Sequence, residues 1–213
     1  MYECLIVIPT YNPGEFIFNN LEIYKKLDKD KYKVLLIDNG TNNQQSLDIL
    51  TKVNEEFEVQ KNMFGGGYEP GALLHAIQKY DSERVFLTQD SMELVDLNFL
   101  YNFDENLING YVIEGQPARF LSRDQIMWVK EKFGESIFEG LFNGNALVST
   151  TFYGSRKAID LIIQQEILVE NKLPRQKREQ ESWERVIGIA FGNNKYQIKC
   201  SPDCFKKTLM GRQ

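Results

Sequence analysis

Short apolar runs alternate with stretches whose apolar residues recur every three or four positions, and this alternation fills the first half of the chain. Leu5-Ile6-Val7-Ile8 is apolar throughout and stops at Pro9, the pattern of a strand covered on both faces. The stretch 15–27 carries Phe16, Ile17, Leu21, Tyr24 and Leu27 at helical spacing. Val34-Leu35-Leu36-Ile37 predicts a second strand, closed by the turn-forming Asp38-Asn39-Gly40. A helix over 44–53, a strand over 58–61 and the glycine loop Gly65-Gly66-Gly67 follow. Next come a helix over 71–80 and a strand at Val85-Phe86-Leu87. The second half predicts strands at 111–115, 146–152 and 196–200, with helices at 123–133, 156–164 and 180–191. The segment 170–178 is polar and basic and contains Pro174, so it reads as a mobile loop. Strands alternating with helices point to an α/β fold, Rossmann-like, with a mostly parallel central sheet and helices on both faces.

Composition narrows the picture without changing it. A chain of 213 residues, 42% hydrophobic and 26% charged, can fill the core of one large domain, so residues 1–213 are read as a single unit. No segment reaches the ~18 apolar residues that a membrane span requires, and Met1-Tyr2-Glu3-Cys4 lacks the basic start of a signal peptide. Cys4, Cys200 and Cys204 form no disulfide framework, so a soluble protein of a reducing, cytoplasmic compartment is expected. Cys200 and Cys204 are half of a zinc pattern that nothing completes, because the one histidine, His75, is remote and reads as a buried, hydrogen-bonded side chain. A net charge of −5 without a long basic stripe argues against a nucleic-acid partner. The chain stops shortly after Lys206-Lys207 with no capping element, the mark of a domain excised from a longer protein.

In an open parallel sheet, ligands bind beyond the carboxyl ends of the strands. Three strands end there in polar, turn-rich sequence: Pro9-Thr10-Tyr11-Asn12, Asp38-Asn39-Gly40-Thr41 and Gln89-Asp90-Ser91. Neighbouring strands would bring these loops to one crevice. The glycine loop lacks the Gly-Lys-Ser/Thr of a phosphate-binding P-loop, and Pro70 stands where a dinucleotide fingerprint needs its third glycine.

These motifs carry a resemblance. Ile6-Val7-Ile8-Pro9-Thr10-Tyr11-Asn12 resembles the opening strand and loop of family-2-like GT-A glycosyltransferases, and Leu36-Ile37-Asp38-Asn39-Gly40-Thr41 is similar to their second signature. Asn62 with Gly65-Gly66-Gly67 and Pro70-Gly71-Ala72 resembles their next stretch. Phe86-Leu87-Thr88-Gln89-Asp90 takes the place of the strand ending in their Asp-x-Asp metal motif, with Thr88 where the first Asp would stand. The likeness covers about residues 3–92, the nucleotide-binding half. It leaves 93–213 as the acceptor-binding and catalytic half.

The resemblance implies a transferase of the hexosyl type that moves a sugar from a nucleotide-diphosphate sugar, a UDP-sugar, to a hydroxyl of a carbohydrate or glycoprotein, with inversion. Pro9, Thr10, Tyr11, Gly71 and Gln89 would contact the nucleotide, together with Asp38 or Asn39. Asp90 would hold Mn2+ or Mg2+, hard cations that take oxygen ligands and complete their shell from substrate phosphates and water. Such a cation also supplies the positive charge that an acidic protein needs to bind a diphosphate. Asp203 is a further candidate ligand.

Inverting transfer needs a carboxylate to take the proton of the attacking hydroxyl. Glu181 and Glu184, three apart on the last predicted helix, are the candidates, and the sequence leaves the choice open. Lys172, Arg175, Lys177 and Arg178 form a basic run that either is simply solvated or closes over the diphosphate. A non-catalytic nucleotide-sugar-binding domain is the alternative reading. A sugar-nucleotide pyrophosphorylase fits less well, because the first loop lacks the glycine-rich, basic character that chemistry needs.

Overall fold

The computed structural model describes residues 1–113, 116–144, 146–200 and 205–207. β1 (Tyr2–Thr10) leads to α1 (Phe16–Glu22), which tightens into a 3₁₀ turn at Ile23–Lys26. β2 (Tyr32–Asp38), α2 (Gln44–Val53), β3 (Glu58–Lys61), α3 (Tyr68–Lys79) and β4 (Ser82–Leu87) complete the first half. The second half holds β5 (Met92–Leu94), α4 (Asn98–Tyr101), β6 (Leu107–Ile113), a 3₁₀ turn at Pro117–Phe120, α5 (Arg123–Phe133) and α6 (Glu135–Asn143). It continues with β7 (Ala146–Ser155), α7 (Arg156–Gln164), a 3₁₀ turn at Glu170–Lys172, α8 (Lys177–Asn193), β8 (Gln197–Cys200) and β9 (Phe205–Lys207).

Seven strands form one sheet in the order β3-β2-β1-β4-β7-β6-β8. β1, β2, β3 and β4 pair in parallel. β7 runs antiparallel to both of its neighbours, β4 and β6, and β8 returns to the common direction beside β6. The sheet is therefore mostly parallel but mixed. An apolar run reads the same in either direction, so no residue of β7 announced its reversal.

The helices cover both faces, and β1 shows why its sequence is apolar throughout. Successive side chains point to opposite faces, so Leu5 and Val7 enter the core under α3, α5, α6, α7 and α8. Cys4, Ile6 and Ile8 enter the second core, under α1, α2 and α4.

Several boundaries differ from the sequence reading. α3 starts at Tyr68 and α8 at Lys177, each three residues early. β6 begins at Leu107, ahead of the expected 111, because Leu107 and Ile108 already pair with Gln197 and Ile198. Gly115, the expected end of that strand, is outside the described residues. α6 was not expected at all. It buries Ile137 and Leu141 and brings Gly140 against Ile189 of α8, where a Cβ would lie 2.3 Å from the Ile189 side chain. β5 and β9 make a separate two-stranded ribbon. Among the described residues, no helix is long and apolar enough to cross a membrane.

Candidate nucleotide-sugar site

The carboxyl ends of β1, β2 and β4 meet as expected, and buried hydrogen bonds fix them. Thr10, the last residue of β1, donates its hydroxyl to Oδ2 of Asp90 at 2.8 Å. Asn20 of α1 donates to the Asp90 backbone carbonyl at 2.7 Å. Asp90, 5% exposed, is thus held by two elements remote in sequence. The first two loops are stapled together. Asn12, at a positive φ of 49°, donates its backbone N–H to the Thr41 hydroxyl, and its side chain exchanges hydrogen bonds with Asn42. Asp38 accepts from the N–H groups of Gly40 and Thr41, which shapes the turn after β2.

Asn62 links these loops to the next wall. Its Nδ2 donates to Asn39 Oδ1 and to the Gly66 carbonyl, both at 2.7 Å, while its Oδ1 accepts from the Phe64 N–H. The chain then runs through four consecutive positive φ values, 63°, 152°, 80° and 50°, at Gly65, Gly66, Gly67 and Tyr68. Only glycine takes that region without steric cost, which explains the triple glycine, and a tyrosine there is strained. This path folds the loop onto α3. A Cβ on Gly71 would lie 2.6 Å from the Gly66 carbonyl, so a glycine is needed for close approach of the chain to itself. It also delivers Glu69 to the first turn of α3, where its carboxylate accepts from Gln89 Nε2 at 2.9 Å.

The opposite wall is the segment expected to be a mobile loop. Leu168 and Leu173 are buried in the core under α8, and Leu173 touches Gly67 from across the cavity mouth. The polar composition concealed Leu173, whereas Leu168 lies in the apolar run just before that segment. Arg175 is tied back by its N–H to Glu179, and Lys132 donates to the Asn171 carbonyl. Together the walls enclose a cavity of about 900 Å³, open to solvent, with Tyr11, Asn39, Glu69, Asp90, Arg175 and Lys177 among its lining.

α8 lies behind this wall, and its two candidate carboxylates diverge. Glu181 turns to α5, where Gln125 Nε2 donates to it at 3.2 Å and to the Arg178 carbonyl at 2.9 Å. Glu184 is 8% exposed and accepts from Arg185 at 2.7 Å. Burial pushes its carboxyl up to about 7; the Arg185 charge opposes this, the nearby Glu69 adds to it, and Lys177 opposes it. Glu69 and Lys177 both line the cavity, whereas Glu184 is not on its surface.

Of the residues singled out in the sequence, Pro9, Thr10, Tyr11, Asn39, Gln89 and Asp90 line the cavity. Asp38 and Gly71 stand behind it, one shaping a turn and the other receiving the glycine loop. Asp203 and Cys204 lie outside the described residues. His75 is buried, accepts from the Met63 N–H at 3.1 Å and lies 2.9 Å from Gln60 Oε1. Burial, then the Lys79 charge, lowers its pKa, as suits a neutral structural histidine. Glu69 escaped the sequence reading. Its signal was an acid directly after a glycine loop, which favourable interaction with the helix dipole already accounts for.

No three His, Cys, Asp or Glu side chains converge as a metal cage among the described residues. Thr88, in the place of the motif's first acid, is buried, and its hydroxyl has no hydrogen-bond partner. Asp90 is thus a hard oxygen donor beside a roomy cavity that Glu69 and Glu170 also line. That donor set fits a cation such as Mn2+ or Mg2+ brought in with substrate phosphates, rather than a cation held by protein alone.

No protein-family model matches the chain. No curated protein matches it in sequence. Solved structures do match in shape. S. aureus TarS superposes with a TM-score of 0.57 at 14% identity, over 94% of this chain and 35% of that one. Its 1–349 portion in complex with UDP-GlcNAc gives 0.54 at 17% identity, over 94% and 56%. Mannosyltransferase PcManGT from Pyrobaculum calidifontis, in complex with GDP-Man and Mn2+, gives 0.54 at 14% identity, over 95% and 55%. The chain spans between about a third and three fifths of the length of these structures. It has the α/β fold that S. aureus TarS and the P. calidifontis mannosyltransferase share over this region.

Proposed function

We propose that the chain is an inverting glycosyltransferase that moves a sugar from a nucleotide-diphosphate sugar, a UDP-sugar, to a hydroxyl of a carbohydrate or glycoprotein. The observation that carries this reading is the convergence of the strand-end loops, Asp90 and two cationic side chains, Arg175 and Lys177, on one cavity. The structural neighbours solved with UDP-GlcNAc and with GDP-Man and Mn2+ support it.

In this reading the half-exposed ring of Tyr11 offers a stacking face to the base, and Asn39, fixed by Asn62, hydrogen-bonds the nucleoside. Asp90 would hold the dication; Thr10 bonds its carboxylate and Asn20 its backbone carbonyl, which keeps the residue in place before substrate arrives. When bound, that cation neutralises charge on the departing diphosphate as a Lewis acid. Arg175 and Lys177 add positive charge on the other wall. Glu184 is the base. A carboxyl near pH 7 is half ionised at neutral pH and still basic enough to take the acceptor's proton. Glu181, bonded to Gln125, positions α8 against α5.

The test is release of nucleoside diphosphate from a panel of UDP- and GDP-sugars in the presence of Mn2+, with simple glycosides as acceptors. Turnover lost in Glu184→Gln but kept in Glu181→Gln supports the assignment. Equal turnover in wild type and Glu184→Gln contradicts it. A second reading, binding without transfer, draws on Thr88 in place of an acid. It requires nucleotide-sugar binding with no turnover on any acceptor.

A further inference from the structure

Two cavity acids, Glu69 and Glu170, have no part in the chemistry outlined above, and Glu69 is the one that adjoins Gln89. Glu69 enters the cavity from the first turn of α3, at the end of four successive left-handed backbone positions. Three of those positions are glycines, but Tyr68 is not, and a strained non-glycine residue persists only where its surroundings hold it. The path therefore fixes where Glu69 stands.

Its neighbours locate it beside the diphosphate end of the proposed reaction. Its carboxylate accepts from Gln89, the residue adjoining Asp90, at 2.9 Å. It lines the same cavity as Asp90, Arg175 and Lys177. In an in-line displacement with inversion, the sugar must lie between the diphosphate it leaves and the base that activates the acceptor. A cavity side chain beside the Gln89–Asp90 end of that line stands next to the sugar that the diphosphate carries.

The chemistry agrees. Sugar hydroxyls donate and accept at once, and a carboxylate beside an amide offers acceptors and a donor in one plane-by-plane arrangement suited to adjacent hydroxyls. We infer that Glu69, oriented by Gln89, is the residue that reads hydroxyls of the transferred sugar. The inference rests on the transferase reading above and adds the sugar subsite to it.

Calorimetric titration separates the two. UDP and GDP alone report the nucleotide pocket, whereas UDP-GlcNAc and GDP-mannose also report the sugar. Wild type is expected to bind at least one of these nucleotide sugars more tightly than the matching nucleoside diphosphate. Glu69→Gln keeps the size of the side chain and its bond to Gln89 can be remade, so it should fold; its unfolding midpoint verifies this. The expected result is a loss of about tenfold in nucleotide-sugar affinity, one to two hydrogen bonds to a charged group, with nucleoside-diphosphate affinity within about twofold of wild type. Glu69→Ala should abolish the difference between the two ligand types.

Equal weakening of both types would assign Glu69 to the nucleotide pocket and overturn the inference. Unchanged binding of both would overturn it as well, while leaving the transferase reading intact. Failure of wild type to bind any of the four ligands would instead overturn the transferase reading, and the subsite with it.

Discussion

The two walls of the cavity are built by different means. On the sheet side, the functional groups are locked by hydrogen bonds between strand ends: Thr10 on Asp90, Asn20 on the Asp90 carbonyl, Asn62 on Asn39 and Gly66. On the helix side, apolar anchors do the fixing. Trp183 and Ile187 seat α8, Leu168 and Leu173 seat the segment before it, and Glu184 is buried beside Arg185, from which it accepts a hydrogen bond. The first wall presets geometry, which suits binding. The second sets ionisation, which suits proton transfer. Variants on the sheet side should therefore change affinity first, and variants on the helix side should change rate or its pH dependence first.

The largest effect is expected at Glu184. Glu184→Gln should lower kcat by about 10²- to 10⁴-fold, the usual worth of a general base, with nucleotide affinity measured by calorimetry close to wild type. Comparable loss in both would erase the contrast between the walls. Below pH 7 the wild-type rate should fall with the acid limb of a single ionisation near 7.

The same group acts on stability. Its folded pKa, about 7, lies above its ordinary 4.5, so the folded state holds this proton more tightly than the unfolded one. The resulting stabilisation is complete below pH 4.5 and is lost as pH rises through 7. Between those limits wild type should lose up to roughly 3 kcal/mol relative to Glu184→Gln, read as urea-unfolding free energy against pH. Parallel curves for the two proteins would contradict the burial argument.

A smaller effect tests the sheet side. Gly71→Ala places a Cβ against the Gly66 carbonyl and should destabilise the fold by about 1–3 kcal/mol, measured by thermal unfolding. Because Gly71 stands behind the wall, a change confined to ligand affinity, with unfolding unaltered, would show that it faces the nucleotide instead.

Much of the sheet-side wall was legible in the sequence. β1, β2 and β4 are buried on both faces, so each is a continuous apolar run, and each run ends in the polar residues that line the cavity. The helix-side wall was not legible, for three physical reasons. The direction of β7 leaves no mark on its composition. Leu168 ends up in the core from the short apolar run Ile167-Leu168-Val169 and Leu173 from a polar stretch, and only their tertiary partners show that they anchor the wall. Glu181 and Glu184 lie about 60° apart around one helix, too close for periodicity to separate. The hydrogen bond of Glu181 from Gln125 and that of Glu184 from Arg185 do so. The four left-handed residues before Glu69 belong to the same class, since glycines permit such a path without specifying it.

The central claim is that Asp90 stands at the diphosphate end of a nucleotide-sugar site, ready to share a divalent cation with the substrate. The direct measurement is calorimetric titration of wild type and Asp90→Asn with UDP and GDP, with and without Mn2+. The account predicts binding of at least one nucleotide that Mn2+ strengthens in wild type, and a loss of about 10- to 100-fold in the variant that Mn2+ does not restore. Nucleotide binding that is indifferent to both Mn2+ and Asp90, or no binding by wild type, would contradict it.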